Sequence, residues 1–437
     1  MKRIIGAAAL TIAIAALVMG PRPHHQVIQL RPGVVRLHFE MIVGGDTEIA
    51  GAPGGTTLRR APDFIGRGLI TIRGANVWLH DFAMDGDRDG VEMPSSLPDL
   101  PFAGYMRGSG ILADGVTHLS IRNVRLSRIA GFAVLVSNSH DVAIDHVEIA
   151  DSGSLDAAGR NNMTGGILLE EGTTDFRVTR CDFRKIRGNA LWTHSLYTSP
   201  RLARGLFAGN RFDTVGRDAI QVGHASGVTV EENSGERIGF PVEEVDIEHR
   251  AIPVAIDTAG NVDRSAYVRN SFAEIDGKCI DLDGFHDGEI RGNTCVNRGR
   301  AEDYRYGNYG IVMNNSNPDM QSDNIRIVDN LIDSALFGGI FVIGSGHTIV
   351  HNRLLNLNMA HCNENAARFG CYYGEGEPDM LRSGIYLGRG AARPAPAHGN
   401  IIEDNRISGF QMSARCLGFA PGISISANTI RGNRCGE

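Results

Sequence analysis

The sequence predicts an all-β chain wound into a solenoid, and three observations carry that prediction. A short phrase of residues recurs. In Gly277–Val296 the chain opens with Gly and runs into an alternating apolar strand (Ile280, Leu282). It turns at Gly284, starts a second strand at Glu289–Arg291 and closes on Gly292-Asn293. The closing Asn returns at Asn123, Asn210, Asn233, Asn270, Asn330, Asn352, Asn405 and Asn428, with Cys181 and His146 standing in the same slot. Neighbouring repeats are about 22–23 residues apart, or that plus an insertion, as in stacked units that cannot bury an apolar face alone. Apolar positions alternate over three or four residues and then break at Gly or Asn, the period of strands and not of helices. The chain carries 55 glycines and only 6% aromatic residues, which suits short strands and tight turns. Three strands per repeat, wound in one sense, make a right-handed parallel β-helix of about 11–13 coils with an Asn ladder.

Taken in order, the chain begins with Lys2-Arg3 and an apolar run from Ile4 to Met19. A charged start and a run too short to span comfortably predict a secretory signal over residues 1–20, or an uncleaved anchor. Both readings place the body outside the cytoplasm, periplasmic or secreted, with a membrane involved only through the anchor. Export permits disulfides. Of seven cysteines, Cys362/Cys371 and Cys416/Cys435 are the expected pairs, Cys279/Cys295 either pair or are simply buried, and Cys181 is expected as a free, buried thiol. No Cys/His spacing matches a zinc site, and no metal or other cofactor is expected. Residues 21–67 lack the full repeat and read as an N-terminal cap with incomplete rungs, followed by the β-helix over 68–437. Asp85-Gly86-Asp87-Arg88-Asp89-Gly90 reads as a polar turn or as half of a calcium loop, with Ser96 where the bidentate Glu belongs. The formal charge is −7, or −9 without Lys2 and Arg3, which disfavours a nucleic-acid surface. The chain is expected to be a monomer.

From about Leu69 to the C-terminus, with rungs from Gly110–Leu126 to Gly422–Ile430, the repeats resemble those of the right-handed parallel β-helix (pectin lyase-like) superfamily. The Asn series resembles its internal ladder of stacked turn amides. The resemblance implies fold and leaves activity open, because one fold hosts lyases, hydrolases, epimerases and non-enzymes. Motifs of particular activities are missing. Polygalacturonase-like hydrolases carry two Asp before a Cys-Ile strand, where this chain has Gly277-Lys278-Cys279-Ile280. Their Gly-His-Gly has only the echo Gly344-Ser345-Gly346-His347. The pectate-lyase-like Trp-Ile-Asp-His is Ala143-Ile144-Asp145-His146 here, and no epimerase-like Asp-Pro-His-Asp occurs.

Rungs lie about 4.8 Å apart, so equivalent positions stack into columns. Aligning the first strands on Ile167/Leu169, Leu191/Thr193, Ile220/Val222, Val254/Ile256, Ile280/Leu282 and Ile311/Met313 gives an outward column Glu170, His194, Gly223, Asp257, Asp283, Asn314. A second column reads Leu168, Trp192, Gln221, Ala255, Asp281, Val312. Two stacked carboxylates repel, so one keeps its proton near neutrality. An acid beside a base or nucleophile is what a glycosidase needs, about 5 Å apart for retention and about 6.5–9.5 Å for inversion. Asp257 and Asp283 are therefore the expected catalytic pair, supported by Asp281, Glu170 and His194, with Gly223 leaving a gap for a sugar ring. A solvated strand face or a metal-bridged Asp pair explains the same column. Insertions at Asp151–Thr164, Gly235–Arg250, Arg298–Asn308 and Asn358–Arg382 precede the first strand and would wall the groove. Trp192, Tyr197, Tyr304, Tyr306, Tyr309, Tyr372 and Tyr373 offer rings for sugar faces, and Gln221, His224, Lys278, His286 and Asn314 offer polar contacts. The acidic run Glu243, Glu244, Asp246, Glu248, His249, Arg250 is a further carboxylate source or a solvated loop.

The expectation is an exported carbohydrate-active enzyme, a glycoside hydrolase acting on a polysaccharide or oligosaccharide. A polysaccharide lyase or uronate epimerase would use Lys278 or Arg250, or a Ca ion, against the uronate. The rival class is a non-catalytic carbohydrate-binding or structural β-helix.

Overall fold

A computed structural model describes residues 25–93, 98–156, 159, 161, 163–245, 252–307, 309–363, 371 and 377–437. The expected signal or anchor over 1–20 lies outside them, as do Ser96, Asp246, Glu248, His249, Arg250, Tyr372 and Tyr373. The described chain is a parallel solenoid in which each strand pairs with its counterpart one coil away. Three sheets result. The first carries Ser109–Asp114, Phe132–Ser137, Gly165–Glu170, Asn189–His194, Ile220–Val222, Val254–Asp263, Lys278–His286, Ile311–Asn314, Ile340–Val342, Ile385–Leu387 and Leu417–Phe419. The second includes Thr174–Thr179 and Glu289–Arg291, and the third Asp182–Ile186 and Thr294–Val296. Gly33–Val43 and Thr56–Ile72, in the segment expected as a cap, pair in parallel and continue the stack into Ser109–Asp114. Among the described residues no helix is long and apolar enough to cross a membrane.

The core is a stack of inward columns. Ile70, Ile111, Val134, Ile167, Leu191, Ile220, Ile256, Ile280, Ile311, Ile340 and Ile385 lie one above another, each almost fully buried. Each such side chain contributes about 1.5–3 kcal/mol by leaving water. Phe183 stacks on Phe212 at 4.8 Å between ring centres, continuing the core under the third sheet. Cys279–Cys295, Cys362–Cys371 and Cys416–Cys435 form disulfides, and Cys181 is a buried thiol.

A ladder of amides runs along one corner. Asn210 Nδ2 donates to Asn233, which donates to Asn270, then Asn293, Asn330, Asn352, Asn405 and Asn433, at 2.9–3.0 Å. Cys181 occupies the next slot, its N–H donating to Asn210 Oδ1 at 2.9 Å. Three positions need correction. Asn123 and His146 stand one residue before the slot, in left-handed backbone (φ 51° at both), so Val124 and Val147 precede Cys181 in the column. Asn428 belongs to a second, shorter ladder that runs from Ile325 through His347 and Asn400. The left-handed position tolerates Asn and Gly best, which is why it imitates the ladder in sequence.

Asp85 accepts from Arg59 at 3.0 Å and from Arg128 at 2.6 Å, and Arg128 also pairs with Asp87 at 3.2 Å. The calcium-loop reading therefore fails. Arginines hold this turn.

Candidate functional site

Register decides which side chains meet on the outward face of the first sheet. Ile220 pairs with Ile256, Gln221 with Asp257 and Val222 with Thr258. Ile256 then pairs with Ile280 and Ala259 with Asp283, while Asp281 pairs with Val312 and Asp283 with Asn314. The true outward column is Leu168, Trp192, Gln221, Asp257, Asp281, Val312, Phe341. The expected stacking of Asp257 on Asp283 is thus two residues off. Asp257 lies directly across from Asp281, and Asp283 is diagonal to it. The inward partner of Ile256 is Thr258, whose hydroxyl is buried against the Tyr267 hydroxyl at 2.6 Å. A polar residue in an apolar slot hides the register from a hydrophobic count. Gly223 leaves no gap above Asp257: a Cβ there would meet the carbonyls of Thr193 and Ala259 at 2.7 and 2.9 Å.

The column forms a polar seam. Asn189 Nδ2 donates to Gln221 Oε1 at 2.9 Å, and Gln221 Nε2 donates to Asp257 Oδ2 at 2.7 Å. Lys278 Nζ donates to Asp281 Oδ2, while Asp281 Oδ1 is buried with no partner. Asp218 accepts from the Val254 N–H at 2.9 Å and lies 3.8 Å from Arg217. The seam was expected as an open ridge, yet Asp257 and Asp281 are only 8% and 7% exposed. Burial pushes the Asp257 carboxyl well above the usual range, and Asp218, Asp281 and Asp283 push it further. Asp218 is raised by the same burial. For Lys278, burial works against the ammonium, but Asp281 outweighs it and the pKa rises. One carboxyl of the Asp257/Asp281 pair is therefore driven toward its neutral form and the other is matched to a cation. Asp218 and Asn189 were missed in sequence. Their signal is the position two residues before the first inward apolar residue, which Lys278 also occupies.

Asp283 is half-buried, and both its oxygens are engaged by Ser316, from the N–H at 2.8 Å and the hydroxyl at 2.6 Å. Burial still raises it. Its visible work is to hold the turn after Ile311–Asn314. Asn314 likewise accepts from Ala392 N–H at 3.0 Å and anchors a wall instead of facing a ligand.

Beside the seam lies a cleft of about 250 Å³ floored by Asn189, Gln221, Trp192 and His194 and walled by Phe102, Tyr105 and Arg217. Trp192 and His194 pack edge-on against Phe102 at 5.4 Å. His194 is held neutral, its pKa lowered to about 4 by burial. Glu170 is fully buried, accepting from the N–H groups of Phe102 and Ala103 at 2.8 and 2.6 Å, so it anchors the short helix Phe102–Tyr105 and lines no open groove. Burial raises it to about 7, Glu171 adding to the shift.

Other expected contacts are displaced. Tyr304 is buried and bonds Glu274, and Tyr309 is buried. Neither offers a ring to solvent. Tyr306 is half-buried under the Arg305 guanidinium. His286 is pinned between Asp287 and Asn261 at 2.8 and 3.1 Å. His224 is buried with its ring 5.2 Å from that of Tyr197, which is 53% exposed. Glu244 pairs with Arg187 at 3.3 Å. Gly235 belongs to the strand Ser234–Ile238, so the insertion there starts later.

Comparison with known proteins agrees with this architecture. A family model described as right handed beta helix region matches residues 159–355. No curated protein matches the chain by sequence. PfbA, a surface adhesin of Streptococcus pneumoniae, is similar in fold, with TM-score 0.55 and 10% identity over 77% of this chain and 85% of that one. DFA-IIIase from Arthrobacter chlorophenolicus A6 in complex with GF2 is similar at TM-score 0.50 and 13% identity, over 93% and 87%. The chain has the right-handed parallel β-helix fold, and the family model covers its central part.

Proposed function

We propose that the chain is an exported carbohydrate-active enzyme, a glycoside hydrolase, with Asp257 as the acid and Asp281 as the base or nucleophile. One observation carries this reading: Asp257 and Asp281 are neighbours across adjacent strands, the first driven toward its neutral form and the second paired with Lys278. Direct neighbours on adjacent parallel strands lie about 4.8 Å apart, against about 8 Å for diagonal ones two residues along. Asp257/Asp281 therefore suits the short separation of a retaining enzyme, and Asp257/Asp283 the longer one of an inverting enzyme. Asp281 as partner fits better, because Ser316 engages both oxygens of Asp283. Gln221, which holds the Asp257 carboxyl, also lines the cleft beside the seam together with Trp192. Three disulfides support export, and one structural neighbour is an enzyme, DFA-IIIase.

Two observations favour rival readings. Lys278 beside the carboxylates is what a lyase would use against a uronate. The low exposure of Asp257, together with the adhesin PfbA as a neighbour, suits a non-catalytic glycan binder. Incubation of the full chain with neutral and uronate-containing glycans separates the three. The hydrolase reading predicts new reducing ends without an unsaturated product. An unsaturated product means a lyase, and binding without cleavage means the binder.

A further inference from the structure

Beside the cleft, the carboxylates of Glu170 and Glu171 and the imidazole of His194 each offer one ligand atom, and these atoms lie within 4.8 Å of one another. The solenoid makes the cluster. Glu170 pairs in register with His194 on the next strand, and Glu171 follows at the corner in left-handed backbone, φ 52°. Each group has capacity left. Glu170 accepts from the N–H groups of Phe102 and Ala103, one on each oxygen, and from the Ser137 side chain, which leaves one of its four lone pairs; Glu171 accepts from the Leu196 N–H through Oε1 at 2.9 Å. His194 Nδ1 is enclosed and without a partner. Such an enclosed, unsatisfied nitrogen calls for an explanation. Glu170 is 0% and Glu171 8% exposed, and among the described residues no Lys or Arg forms an ion pair with either. Two carboxylates covered this way want a counter-charge.

We propose that Glu170, Glu171 and His194 form a binding site for a divalent first-row metal ion, Mn²⁺ or Zn²⁺. The corner-to-centre distance of a triangle with sides of at most 4.8 Å is at most about 2.8 Å, so each ligand needs to close by no more than about 0.6–0.8 Å to reach the 2.0–2.2 Å of such bonds. The donor set selects the class: imidazole with carboxylates suits Mn²⁺ or Zn²⁺, whereas Ca²⁺ takes six to eight oxygens. Water completes the coordination. Because Glu170 also holds the helix Phe102–Tyr105, an ion here ties one wall of the cleft to its floor. The site stands on this geometry alone and does not depend on the glycosidase reading.

The test titrates MnCl₂ and ZnCl₂ into the chelator-treated full chain, read by calorimetry and by the electron paramagnetic resonance of Mn²⁺. CaCl₂ is the comparison. One ion per chain is expected, with micromolar or tighter affinity, weakened at least about tenfold in Glu171→Gln and in His194→Gln. Glu170→Gln also disturbs the helix it anchors, so Glu171→Gln, checked for native circular dichroism, is the deciding variant. No binding up to millimolar metal, wild-type affinity in Glu171→Gln, or equal affinity for Ca²⁺ would each overturn the proposal.

Discussion

Replacing Lys278 by Met keeps the side-chain length and removes the cation from the acidic seam. The Lys278 side chain is 19% exposed and its partner Asp281 9%. An exposed pair would be worth about 0–1 kcal/mol, but breaking a covered one by removing one partner costs about 3–5 kcal/mol, because the other charge stays buried. Asp281 Oδ1 already lacks a partner, and Lys278 is the cation that lowers both Asp257 and Asp283. Allowing for the lysine's partial exposure, a loss of about 3 kcal/mol is expected for Lys278→Met at neutral pH. The double variant Lys278→Met/Asp281→Leu should return to within about 1 kcal/mol of wild type. The sign with pH follows from Asp257 and Asp283. A carboxyl whose folded pKa lies above its unfolded value, about 3.9, favours folding in acid and loses that contribution as pH rises. Removing Lys278 raises both further, so the penalty is largest at neutral pH and shrinks on acidification. Urea unfolding of the four proteins of the cycle at two pH values reads this directly. A single-variant loss under about 1 kcal/mol, or a penalty that grows in acid, would refute the buried-pair argument.

Asn270→Ala removes a ladder amide and leaves Val230 C=O, Asn233 N–H and Asn233 Nδ2 without their partner, so a cost of about 3–5 kcal/mol is expected. Hydrogen exchange at the neighbouring turns should accelerate first, and unchanged protection would count against the ladder. Burial pushes the Cys181 thiol up to about 12, so it should label with a thiol reagent only after unfolding; stoichiometric labelling of the native chain would contradict its placement. In the hydrolase reading, activity should fall as pH rises through the elevated Asp257 pKa, and Asp257→Asn should lower turnover by about 10²–10⁴-fold. A pH profile flat on the alkaline side would remove Asp257 as the acid.

The coil was legible because its causes are local. Gly and Asn mark the corners, and inward Ile, Leu and Val alternate between them. The site was legible only in part, because it depends on register. Thr258 stands inward where an apolar residue was expected, its hydroxyl satisfied by Tyr267, and that one position moved Asp257 from beside Asp283 to beside Asp281. Glu170 looked like an outward carboxylate, but the helix Phe102–Tyr105 folds over it, a contact 67–68 residues away that no repeat alignment contains. Tyr304 and His286 looked like sugar contacts and instead satisfy Glu274, and Asp287 with Asn261. Asn189 and Asp218 escaped because their column starts two residues before the apolar pair used for alignment.

The most direct measurement is turnover on whichever glycan the wild-type chain cleaves, compared with Asp281→Asn under conditions where both give the same circular dichroism. The account predicts a loss of orders of magnitude in kcat with glycan binding retained. Undiminished cleavage by a folded Asp281→Asn protein would place the chemistry elsewhere on the solenoid.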